Sequence, residues 1–259
     1  MATRRVFSNA HCTAAALDRG ATITSWHPRD GHEALFVTSE ANPDAEFHGG
    51  IPVCAPWFAW GSQEKRKPTK HGLVRWVDWR FDGATELPEG TRASWSLQAP
   101  ETAHIPGATG YPHDLSYRYE ATFGKALDVA LTISSPTQDC VVDDALHTYF
   151  LVGAVGDARV EGVTAEPIAV PDAHDEIYLG AATGPVRIVL PDRTITITAH
   201  SAQDVVVWNP GEEYAAGLAD FDGSEWARML CVEVGNVGEH AVTIPAGRQH
   251  TLGMRITMA

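Results

Sequence analysis

Two short stretches carry an unusual share of the residues able to shape and charge a pocket. Phe47-His48-Gly49-Gly50-Ile51-Pro52-Val53-Cys54-Ala55-Pro56-Trp57-Phe58 is followed, a little downstream, by Lys70-His71-Gly72-Leu73-Val74-Arg75. Glycines let backbone come close to a ligand, prolines stiffen turns, and Trp57 and Phe58 offer flat apolar surface of the kind that meets the faces of sugar rings. Such a mixture suits neither a strand interior nor a helix interior. It reads as a pocket wall, with a buried irregular loop as the competing interpretation.

A second group of residues could move protons. Glu233 sits in Leu230-Cys231-Val232-Glu233-Val234, where desolvation would raise a carboxyl toward the range useful to a general base. Alternation puts Cys231, Glu233 and Gly235 on one face of that strand, which is either the inner face or a solvated one. His147 lies in Asp143-Asp144-Ala145-Leu146-His147-Thr148-Tyr149-Phe150, at what reads as the start of a strand, and imidazole donates a proton near neutrality. The chain has 12 histidines, so residue type alone does not select this one.

The elements that must position these groups are strands. Apolar residues alternate at Ala93, Trp95 and Leu97, at Tyr117, Tyr119, Ala121 and Phe123, and at Leu127, Val129, Leu131 and Ile133. Gly124-Lys125-Ala126 between the last two runs predicts a hairpin, and Pro191-Asp192-Arg193 predicts another between Val186–Leu190 and Thr194–Thr198. Leu252, Met254, Ile256 and Met258 should share one face of a last strand. Helical signals are confined to 212–219 and 222–229. The fold class expected is all-β, a large antiparallel β-sandwich, and the absence of a linker or short repeat over residues 1–259 points to a single domain.

Composition narrows the partners. The formal charge of -14 reflects 33 acidic against 19 basic residues with no long basic patch, which argues against nucleic acid. No signal-like start or ~20-residue apolar span is visible, so a soluble cytoplasmic protein without a membrane partner is expected. Cys12, Cys54, Cys140 and Cys231 are widely spaced and read as reduced, buried thiols. His-x-His and His-x-x-x-His spacings are absent, so a metal-dependent β-barrel enzyme is disfavoured.

Five segments in order resemble the glucose-6-phosphate 1-epimerase branch of the aldose 1-epimerase superfamily: Gly49-Gly50-Ile51-Pro52-Val53-Cys54, His71-Gly72-Leu73-Val74-Arg75, Ala145-Leu146-His147-Thr148-Tyr149-Phe150, Val207-Trp208-Asn209-Pro210 and Met229-Leu230-Cys231-Val232-Glu233. The resemblance implies a galactose-mutarotase-like supersandwich holding a sugar in a concave face. It also implies interconversion of the anomers of an aldohexose 6-phosphate, without metal or organic cofactor. Glu233 would be the base and His147 the acid, and His71, Arg75 and Asp175 would bind the sugar. Asn209 and Asp220 are read as structural supports.

The chain departs from the family pattern at several positions. His48 stands where an arginine that helps hold phosphate is usual, Leu73 and Val74 replace Phe and Ala, and Glu176 replaces an arginine. Lys65-Arg66-Lys67 and Lys70 could restore anion capture in an acidic chain. Three functional readings result: a hexose 6-phosphate mutarotase, the same chemistry on an unphosphorylated aldose, or a carbohydrate-binding protein without turnover. In each the partner is a small sugar or sugar phosphate, and a monomer is expected.

Overall fold

Period-two patterning becomes a wide antiparallel sheet. In the computed structural model, which describes residues 2–45, 47–61 and 66–259, the expected hairpins form as Ser116–Gly124 with Leu127–Ser135 and as Val186–Val189 with Thr194–His200. They belong to a nine-stranded sheet in the order Ile168–Ala169, Arg159–Glu161, Val186–Val189, Thr194–His200, Arg248–Met258, Leu127–Ser135, Ser116–Gly124, Gly90–Gln98, Arg80–Leu87. Register lines up Trp95, Tyr119, Leu131 and Leu252 across four neighbouring strands, and all four are fully buried. Burial of each such side chain contributes roughly 1.5–3 kcal/mol, so this row is a main girder of the core.

A six-stranded sheet carries the site. Its main path runs His174–Tyr178, Asp204–Asn209, Met229–Asn236, Asp144–Leu146, Val53–Cys54, and Tyr149–Leu151 pairs further along Met229–Asn236. Alternation within it sorts residues between two environments. Val205, Val207, Leu230, Val232 and Val234 join the same hydrophobic core as Trp95 and Leu131, whereas Val206, Trp208, Cys231 and Glu233 lie on the opposite face. All eight residues of Met229–Asn236 are buried, because both faces are covered. A three-stranded sheet, Arg4–Ser8, Cys12–Leu17 and Ile23–Pro28, and a two-stranded one, Val242–Ile244 with Cys140–Val142, complete the strands.

The helical segments are short, as the scarcity of signals implied. The α-helix Gly211–Ala215 overlaps the first predicted region, the second becomes the 3-10 turn Glu225–Arg228 rather than a full helix, and the α-helix Ala99–Thr102 forms where no helical signal was read. Cys12, Cys54, Cys140 and Cys231 are free and buried. No helix among the described residues is long and apolar enough to cross a membrane.

Candidate active site

Strand register brings the two proton-transfer candidates together. Asp144–Leu146 pairs Leu146 with Val234, and Tyr149–Leu151 pairs Tyr149 with Cys231, so the same register carried across the gap sets His147 opposite Glu233. His147 does not continue the ladder there; its backbone N–H donates to the carbonyl of Pro52 at 3.0 Å. The break leaves the two side chains side by side, with His147 Nδ1 3.4 Å from Glu233 Oε1. Both are buried, and His147 Nδ1 and Glu233 Oε2 have no hydrogen-bond partner among the described residues. An unpaired buried polar atom costs about 1–3 kcal/mol, which a ligand hydroxyl could relieve.

Burial sets the charge preference of this pair. It pushes the Glu233 carboxyl well above the usual carboxylate range, while Lys70 and Arg75 pull the other way and Asp175 adds to the rise. Burial likewise drives His147 well below the usual imidazole value, and the charges of Arg75, Lys70 and His48 push in the same direction. Each group therefore favours its neutral form in this environment.

His71 is held by the tight chain reversal its neighbours allow. It has a positive φ of 62°, its backbone N–H donates to the Ala59 carbonyl at 2.7 Å, and the Ala59 N–H donates to His71 Nδ1 at 3.2 Å. Accepting that bond leaves the ring proton on Nε2, so His71 is a neutral donor. Burial, together with the neighbouring His147, keeps it unprotonated. Its ring stands edge-on to Phe58 and to His147, with centroids 5.0 and 5.1 Å apart. Gly72, which follows, lies against the Ala55 carbonyl, where a Cβ would sit only 1.9 Å from that oxygen.

These groups line a cleft of about 540 Å³ whose walls also include Lys70, Arg75, His48 and Asp175. All seven residues singled out as catalytic or binding thus face one space. Arg75 leaves the 3-10 turn Val74–Trp76 with its guanidinium 5.5 Å from the Trp76 ring centre. Asp175 is exposed on the cleft face of His174–Tyr178, paired with Trp208 in the neighbouring strand. His48 is engaged: its Nδ1 donates to both oxygens of Asp220 at 3.1 and 3.0 Å, and its ring stacks on Trp208. Burial pushes the Asp220 carboxyl up, but the hydrogen bond and charge of His48 outweigh this and hold it below its ordinary value.

Several expectations need correction. Trp57 is buried and stacks on Tyr111 away from the cleft, so of the two aromatics only Phe58 reaches the site. Lys67 lies over the rings of Trp57 and Tyr111 and Arg66 over Trp60, so these two do not line the cleft; Lys65 lies outside the described residues. Asp220 acts as a support, its carboxylate accepting from the His48 ring. Asn209 does support backbone, with its amide nitrogen donating to the carbonyls of Trp226 and Met229.

Sequence reasoning missed two aromatic walls. Tyr149 stacks on His147 at 4.8 Å with the rings nearly parallel, and Trp208 meets both rings edge-on. Tyr149 lies two residues beyond His147, and that even spacing along an extended chain was a usable signal. Among the described residues no group of three or more His, Cys, Asp or Glu is arranged to hold a metal ion.

The chain matches the aldose 1-epimerase family over residues 5–170 and 159–257. It is 29% identical over 276 residues to a protein of Cenchrus ciliaris provisionally named a glucose-6-phosphate 1-epimerase, covering 92% of this chain and 79% of that one. A similarly named protein of Salmonella typhimurium is 26% identical, over 83% of this chain and 76% of its own. A crystal structure of a provisional mutarotase from Salmonella typhimurium superposes with a TM-score of 0.90 at 23% identity, covering 100% of this chain and 90% of that chain. A provisional aldose 1-epimerase of Escherichia coli K12 has a TM-score of 0.77 at 13% identity, with 100% and 99% covered. The chain belongs to the aldose 1-epimerase family.

Proposed function

We propose that this protein interconverts the α and β anomers of an aldohexose 6-phosphate by opening and reclosing the sugar ring. The observation that carries the proposal is the buried His147–Glu233 pair, 3.4 Å apart on the cleft floor, with an unsatisfied polar atom on each partner. Ring opening needs a base at the anomeric hydroxyl and an acid at the ring oxygen. In the state in which the pair's one proton sits on His147, Glu233 as carboxylate takes the hydroxyl proton while His147 gives its proton to the ring oxygen. The bond from the anomeric carbon to the ring oxygen breaks, and an aldehyde forms.

Rotation about the bond between the first two carbons presents the other face of the aldehyde. Glu233, now protonated, returns its proton to the aldehyde oxygen as the former ring hydroxyl adds to the carbon and gives its proton to His147. The pair holds one proton between its two members throughout, so a turnover ends in the state in which it began. His71, fixed as an Nε2 donor, is placed to orient a sugar oxygen, and Lys70 and Arg75 give the cleft of an acidic protein local cations for a phosphate.

The engagement of His48 with Asp220 supports a second reading, in which the same chemistry acts on an unphosphorylated aldose. NMR exchange between the anomers of glucose 6-phosphate and of free glucose, with catalytic protein, separates the two. Acceleration of glucose 6-phosphate alone is the expected result, acceleration of glucose alone selects the second reading, and acceleration of neither defeats both.

A further inference from the structure

Asp143 stands four residues before His147 and is not among the residues that line the cleft, yet three segments of the site meet on it. Its backbone N–H donates to the Pro56 carbonyl at 3.0 Å. Its Oδ2 accepts the backbone N–H of Phe58 at 3.0 Å, and its Oδ1 accepts that of Gly238 at 3.2 Å. Gly238 comes two residues after Met229–Asn236, the strand that carries Glu233. One half-buried carboxylate thus joins the chain entering His147, the chain leaving Glu233 and the loop that faces His71.

That loop needs holding. Ala59 has φ 47° and His71 has φ 62°, both in the left-handed region that is costly for a residue with a side chain. The two hold each other: the Ala59 N–H donates to His71 Nδ1, and the His71 N–H donates to the Ala59 carbonyl. A pair joined in this way can still shift as a unit. Phe58 ties it to the strands, with its ring edge-on to His71 and its amide on Asp143. An N–H bond to a carboxylate is charge-assisted and stronger than one to a carbonyl.

We propose that Asp143 is a positioning residue, which fixes Phe58 and Ala59 so that His71 keeps its proton on Nε2 beside the His147–Glu233 pair. It touches no reacting atom. Without its carboxylate the Phe58 amide is released, Ala59 can leave the left-handed region, and His71 Nδ1 loses its donor, so the ring samples both tautomers. The consequence for turnover rests on the reading of the cleft as an aldose site; the hold on the His71 ring does not.

Long-range proton–nitrogen NMR of the histidine rings, with His71 assigned by its loss in His71→Asn, tests this. In the wild-type chain the two His71 nitrogens should differ widely in shift, as in one fixed tautomer. Asp143→Ala should bring them together and lower kcat/KM for anomer exchange about tenfold. Asp143→Asn keeps an oxygen for Phe58 but turns an N–H group toward that of Gly238, so both effects should be smaller. Glu33→Ala is the control: Glu33 Oε1 accepts the backbone N–H groups of Trp26 and Leu35 at 2.9 and 3.0 Å, away from the cleft, and its loss should lower stability without moving the His71 signals. The assignment is overturned if the His71 signals stay as in the wild type in Asp143→Ala, or in Asp143→Asn should Asp143→Ala not fold. It is equally overturned if Glu33→Ala moves them as far, or if they converge while anomer exchange keeps its rate. Failure of the aldose reading would instead appear as absence of exchange in the wild-type chain, with the ring signals still deciding the role of Asp143.

Discussion

His147 and Glu233 are cross-strand neighbours at the one place where the ladder between their strands is interrupted. Leu146 pairs with Val234 on one side and Tyr149 with Cys231 on the other, and between them the His147 amide turns to Pro52 instead. Directly opposed residues have Cβ atoms about 4.5–5.5 Å apart, close enough for side chains to touch. The pairing on either side, together with the Pro52 bond at the break, thus brings imidazole and carboxyl to 3.4 Å.

The first prediction follows from that pair. Glu233→Gln keeps size and hydrogen-bonding capacity but cannot accept a proton, so anomer exchange should fall about 10²- to 10⁴-fold while sugar affinity stays within a few fold. NMR exchange rates and a binding titration on the same preparation read both quantities. Unchanged exchange would remove Glu233 from the mechanism, and unchanged binding with lost exchange would exclude a binding protein without turnover.

Burial of Glu233 also makes a prediction about stability. Its folded-state value is raised by desolvation, so the folded chain holds this proton more tightly than the unfolded chain does. The stabilisation is complete below the unfolded value of about 4.3 and is lost as pH rises toward the raised folded value. Glu233→Gln does not suffer that loss. Thermal unfolding of both proteins across pH should therefore show the variant gaining on the wild type as pH rises above about 4.3 and then holding a constant lead. A constant difference from acid to alkaline pH would mean that the carboxyl is not desolvated.

Some of this was legible in the chain and some was not, for physical reasons. Strict alternation at Leu127, Val129, Leu131 and Ile133 foretold a half-buried strand because each pleat separates two environments. Met229–Asn236 gave no such contrast, since both its faces are covered, and the side to which Glu233 points emerged only once Trp208 and Val206 were placed beside it. Trp57 was misread because an aromatic beside a pocket motif says nothing about which way it turns, and here it turns to Tyr111. The His48–Asp220 contact joins residues 172 positions apart, beyond any local pattern.

His48 sets the next expectation. Its ring bonds Asp220 through Nδ1 and stacks on Trp208, and it lines the cleft with one nitrogen already committed. His48→Arg adds donors on a longer side chain that can keep Asp220 and still reach an anion. The ratio of kcat/KM for glucose 6-phosphate over glucose should rise about tenfold. His48→Ala leaves the Asp220 carboxylate unpaired at the cleft wall, so the same ratio should fall. A ratio that moves in neither variant would place the phosphate elsewhere.

Gly72 tests whether the backbone around His71 is required as it stands. Its φ of 85° is costly for any residue with a side chain, and a Cβ would lie 1.9 Å from the Ala55 carbonyl oxygen and 2.9 Å from the Ala55 nitrogen. Neither clash can be relieved by turning a side chain, because both partners are backbone. Moving that backbone would break the Leu73 N–H bond to Ala55 and disturb the Ala59 bond that fixes the His71 ring. Gly72→Ala should therefore cost at least about 3 kcal/mol in urea unfolding, from positive φ and overlap together. It should also lower anomer exchange more than His71→Asn does, since it displaces the whole loop rather than one donor. Wild-type stability in this variant would show that the 55–72 contact is looser than the structure has it.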